Sequence, residues 1–147
     1  MKVWLLAAFM VVAVPAAQGQ PAGTLSSPVG TWRTFSDVDG RETGQVKITD
    51  QGGVFYGVVT RINDPVKAAG LCTLCPDDRK DKPVLGMQVI RGLKPDGTDW
   101  SGGQIIDPET GKIYRASMRL EDGGRKLAMR GYIGVSLFGR TQVWTRN

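Results

Sequence analysis

The chain has 147 residues, enough for one ordinary domain once any targeting segment is set aside. It carries 19 Lys+Arg against 14 Asp+Glu, a net charge of +5, and no histidine, which excludes Ser-His-Asp and Cys-His catalysis and any His-ligated metal site. Glycine, at 20 residues, is about twice its usual ~7% share, and with 8 prolines and little helical patterning it points to turn-rich β structure.

The first segment reads as an address. Met1-Lys2 gives a short positive start, Val3 to Val14 is an uninterrupted apolar run, and Ala17 and Gly19 are placed like an A-x-A cleavage site. This is the pattern of a secretory signal peptide over residues 1–19. The apolar run is shorter than the ~20 residues of a spanning helix. The expectation is a periplasmic or secreted protein with no transmembrane anchor after cleavage. Residues 20–28 read as a flexible mature N-terminus, and 29–147 as a single domain.

From Val29 onward no window holds the i, i+3, i+4, i+7 spacing of an amphipathic helix for more than two turns. Short alternating segments bounded by Gly, Asp or Pro appear instead. A first strand is expected over Gly30–Ser36, turned by Asp39-Gly40. Glu42–Thr49 follows with Val46 and Ile48 on one face, and Val54–Ile62 is apolar on both faces for part of its length. The run Asp37–Glu42 resembles half of a calcium loop but lacks the full ladder of oxygen ligands, so a hairpin turn is the expectation.

Asn63 to Pro83 is a long irregular stretch with room for a short helix. Loops beyond ~12–15 residues often act as lids or plugs. It holds the pair Cys72-Thr73-Leu74-Cys75 and a charged run from Asp77 to Lys82. Three readings of the cysteines compete. Outside the cytoplasm nearby thiols oxidise, which favours a local disulfide. A thioredoxin-like redox centre needs a helix after the pair, where Pro76 stands instead, and a zinc site needs further ligands.

Leu85–Leu93, Trp100–Ile106, Lys112–Leu120, Lys126–Ile133 and about Gly139–Arg146 complete the strands, separated by turns rich in Gly, Asp and Pro. Eight strands joined in sequence remove their edges most simply by closing into an antiparallel up-and-down barrel. The fold expected is all-β.

Gly30-Thr31-Trp32 resembles the Gly-x-Trp start of lipocalins and avidins. In those barrels the Trp closes one end under a basic residue of the last strand, a part for which Arg140 and Arg146 are the candidates here. A closer resemblance rests on Lys82-Pro83-x-x-Gly86, Gly102-Gly103-x-Ile105-x-Asp107-Pro108-x-x-Gly111-x-x-Tyr114, Arg130-Gly131-Tyr132-x-Gly134 and Phe138-Gly139-Arg140-Thr141-Gln142-x-Trp144-x-Arg146. Together with Gly30-x-Trp32 these strings are similar to the small exported bacterial proteins grouped as domain of unknown function 2147. That resemblance implies a lipocalin-like barrel, commonly with a C-x-x-C in the same loop. It implies no activity and no catalytic residues.

Function is read from the barrel. Eight strands enclose just enough space for one small ligand or for the barrel's own side chains. Alternation selects Trp32, Tyr56, Val58, Met87, Tyr114, Met118, Met129 and Trp144 as candidate lining for a small, mostly apolar ligand, and no cofactor is expected. The alternative is a cell-envelope interaction module with a filled barrel, working through the 63–83 loop and a basic strand face of Arg115, Arg119, Arg125, Lys126 and Arg130 toward an anionic envelope component. A plain solvated face accounts for the same cations, and export argues against nucleic acid. An enzyme is the least favoured reading, since Asp107 and Glu109, the nearest conspicuous carboxylate pair, lie in a turn.

Overall fold

The computed structural model describes residues 26–147, apart from the side chain of Ser136. The segment read as a signal peptide, and the stretch 20–25, lie outside the described residues. Alternating sequence becomes eight strands: β1 (Gly30–Phe35), β2 (Glu42–Gln51), β3 (Val54–Ile62), β4 (Gln88–Asp96), β5 (Asp99–Ile106), β6 (Ile113–Glu121), β7 (Lys126–Tyr132) and β8 (Gly139–Arg146). Each pairs antiparallel with its sequence neighbour, and β8 returns to β1, so the sheet is a closed eight-stranded up-and-down barrel, as expected. Its fourth strand starts at Gln88 rather than Leu85, because Met87 N–H donates to the Val84 carbonyl and Gly86 has φ 86°, which makes a turn there.

The period-two rule sorts the side chains. In β2, Val46 and Ile48 are buried while Lys47 between them is exposed. In β6, Ala116 and Met118 are buried and Arg115 and Arg119 are exposed. Strict alternation fails in β4, where Ile90 and Leu93, three positions apart, are both fully buried. Gly92, at φ 78°, resets the pleat between them as a bulge, a backbone conformation that costs glycine little. Trp32, Ile48, Ile90, Leu93, Met118 and Leu127 are under 2% exposed and fill the middle of the barrel.

One end of the barrel is sealed. Arg146 stacks its guanidinium 4.2 Å from the centre of the Trp32 ring. It also donates to three backbone carbonyls, from Nε to Gly124, from Nη1 to Val29 and from Nη2 to Ser27. Trp32 Nε1 donates to the Pro28 carbonyl at 2.8 Å. Ser27 and Pro28 are therefore tied to the barrel although they precede β1. Arg140, the other candidate for covering Trp32, lies at the opposite end in an ion pair with Asp37, because it opens β8 whereas Arg146 closes it.

At that opposite end, the mouth, β3 runs into the long 63–87 connection. Asp64 caps a single helical turn, α1 (Pro65–Ala68), by accepting from Val66 and Lys67 N–H, with Pro65 at the first helical position. Cys72 and Cys75 are joined as a disulfide and are buried. The loop packs on the Asp107–Gly111 turn: a Cβ on Gly111, whose φ is 72°, would stand 2.0 Å from the Leu74 carbonyl oxygen, so only glycine fits. Arg79 is the one buried charged residue among those described; it is held by the Asp77 carboxylate and by the Gln88 carbonyl at 3.1 Å. Among the described residues no helix is long and apolar enough to cross a membrane.

Candidate functional site

The eight residues proposed as ligand lining do not form one site. Trp32, Met118, Met129 and Trp144 are buried in the filled middle, Met87 is buried just before β4, and Tyr114 is half-buried toward the mouth. Tyr56 and Val58 lie on the outer face, a correction to the expectation. Their strand is apolar on both sides, and the inward set is Phe55, Gly57 and Val59. Glycine is required in that set: a Cβ on Gly57 would come within 2.7 Å of Ile90 Cδ1.

A cavity opens elsewhere. Between the β4–β5 turn, the β6–β7 turn and Ser26–Pro28, at the sealed end, lies a cup of about 660 Å³. Its apolar wall is Phe55, Trp100 and Leu120, with Pro95 and Pro28 beside them. Phe55 and Trp100 meet edge to face at 5.9 Å between ring centres, an arrangement that holds both rings in place. Trp100 and Leu120 are half-buried, so a guest can cover what water still touches.

The rim of the cup is polar and acidic, with Thr98, Asp99, Glu121 and Asp122. Asp99 accepts from Arg119 Nη2 at 2.8 Å and Asp122 is paired with Arg125. Hydrogen bonds from these guanidiniums hold both carboxyls below their ordinary pKa, so they stay ionised. The arrangement suits an apolar body inside the cup with a polar end at its lip. Phe55, Trp100 and Leu120 were not selected from sequence. Reading Gly57 as inward-facing would have put Phe55 on the inner face with it.

The basic strand face resolves into individuals. Arg119 and Arg125 are ion-paired, and Arg130 donates to Thr141 Oγ1 at 3.0 Å and to the Leu137 carbonyl. Arg115 is exposed and makes no ion pair among the described residues. The carboxylate pair in the β5–β6 turn is occupied structurally. Asp107 accepts from Glu109 N–H and from Thr110 Oγ1, and Glu109 pairs with Lys67. In the half-loop before β2, Asp37 and Asp39 are held by Arg140 and Arg41.

Comparison with known proteins agrees with this architecture. The family described as an uncharacterized protein conserved in bacteria (DUF2147) matches residues 30–146. No curated protein matches. Among solved structures, protein HP1028 from the human pathogen Helicobacter pylori, described as belonging to the lipocalin family, superposes with a TM-score of 0.72 at 21% identity, over 84% of each chain.

Proposed function

Since the chain belongs to the DUF2147 family and folds as a lipocalin-like barrel, we propose that it is an exported, non-enzymatic binder of a small, mostly apolar ligand, seated in the cup at the sealed end. One observation carries the reading: the cup is an apolar-walled cavity of ligand size, while the middle of the barrel is packed with its own side chains. The lining proposed from sequence therefore gives way to Phe55, Trp100 and Leu120. The absence of histidine and the engagement of Asp107 and Glu109 in a turn support a binding role over a catalytic one.

The test is titration with Nile red, a neutral apolar fluorophore. Wild-type protein is expected to bind it with micromolar affinity, and Leu120→Glu to weaken binding about tenfold or more. Trp100→Ala is expected to do the same, and both variants are to keep the wild-type circular dichroism. Wild-type protein that does not enhance Nile red fluorescence, or folded variants that bind it unchanged, would overturn the proposal.

A further inference from the structure

A second concavity lies on the outer wall, away from the cup. Cross-strand pairing places Arg91 opposite Gln104, and Gln104 opposite Arg115, so the three side chains form one row across β4, β5 and β6. Tyr56 of β3 joins them along a groove of about 530 Å³. The floor is made by Gly92 and Gly102, whose φ values are 78° and 76°, together with Gly103. There the β4–β5 ladder skips from Arg91↔Gln104 to Lys94↔Ser101. A sheet interrupted by bulges and stripped of side chains is flat and exposes backbone polar groups.

The groups around that floor have separate uses. Arg91 is held by Asp78 through two hydrogen bonds, at 2.7 and 2.9 Å, which neutralises its charge. Arg115 has no such partner among the described residues, so the groove offers one net positive charge on a planar fork suited to a carboxylate. A phosphate ester, at about −1.5 to −2, exceeds that single charge. Gln104 brings both a donor and an acceptor, and the Tyr56 hydroxyl adds another of each. The Tyr56 ring and the glycine floor leave room for a pyranose ring with its hydroxyls.

We propose that this outer groove binds a carboxylate-bearing sugar, as in an acidic polysaccharide, with the carboxylate on Arg115 and the hydroxyls on Gln104, Tyr56 and the bulged backbone. The site is independent of the cup and of what the cup holds.

Isothermal titration with trigalacturonate tests it. The expected result is measurable binding, weakened about tenfold by Arg115→Gln and unchanged by Arg119→Gln, whose guanidinium already serves Asp99. Maltotriose, the uncharged comparison, is expected to bind about tenfold more weakly, and Leu120→Glu in the cup to change nothing. Several outcomes would overturn the proposal: no binding of trigalacturonate at about 10 mM, pentaglutamate binding as tightly, glucose 6-phosphate binding more tightly, or equal losses from Arg115→Gln and Arg119→Gln. Equal losses, or tight pentaglutamate binding, would mean diffuse attraction between charges.

Discussion

Arg146 serves several purposes with one side chain. Its guanidinium lies on Trp32, and its N–H groups tie the Ser27, Val29 and Gly124 carbonyls to the end of β8. Burial lowers its pKa, and the hydrogen bonds offset part of that desolvation. Charge-assisted bonds of this kind contribute about 1.5–3 kcal/mol each, with wide overlap when they share one donor group. Arg146→Ala is therefore expected to cost about 3 kcal/mol in urea unfolding, whereas Arg140→Ala, at the exposed mouth, is expected to cost under about 1 kcal/mol. The Gly-x-Trp start singled out both arginines. What separates them is the register of β8, which pairs Arg146 with Trp32 and leaves Arg140 opposite Gly131.

The elements were legible to the degree that their residues alternate. The β2, β6 and β7 segments show a single apolar face, and their strands lie where the pattern puts them. In β3 both faces are apolar, so periodicity could not say which was inward, and the choice of Tyr56 and Val58 followed the wrong side. Bulges at Gly92, against β3, and at Gly102, against β6, shift the pattern by one residue, a change visible only in the cross-strand pairing. The cup was hidden for a related reason: its walls come from two turns and the segment before β1, distant in the chain. The 63–87 connection hangs on an anchor that sequence did not suggest, the buried Arg79 held by Asp77. Hydrogen bonds from Arg79 lower the Asp77 carboxyl to about 2. A lowered pKa stabilises the fold above the unfolded value near 3.8 and loses that contribution as pH falls through the folded one. The stability difference between wild type and Asp77→Asn should thus be constant at neutral pH, shrink below about pH 5, be mostly lost by about pH 2 and level off near pH 1. Thermal melts across that range measure it, and a pH-independent difference would contradict the anchor.

For the molecule as a whole, closure is uneven. β6–β7 and β7–β8 each pair over seven positions, but β1 meets β8 at only two, Trp32↔Arg146 and Arg33↔Thr145. Two buried atoms there, Arg33 Nε and Thr145 Oγ1, have no hydrogen-bond partner. Toward the mouth the gap is crossed, among the described residues, by side chains, with Asp37 accepting from Gln142 Nε2 at 2.8 Å and pairing with Arg140. Amide directions alternate along a strand, and Asn147 N–H donates to the Thr31 carbonyl. The amides of Thr141 and Val143 consequently point at β1 without a ladder partner, while those of Gln142 and Trp144 face β7. Hydrogen exchange followed by NMR should find Thr141 and Val143 at least about tenfold faster than Gln142 and Trp144; equal protection would mean that the seam is zipped to its end. The molecule is a scroll stitched along only half of its margin, and the cup sits at the stitched half. If the cup holds the guest proposed for it, opening of the wall from the far margin would leave that guest seated, so breathing of the wall and release of the guest would be separate events.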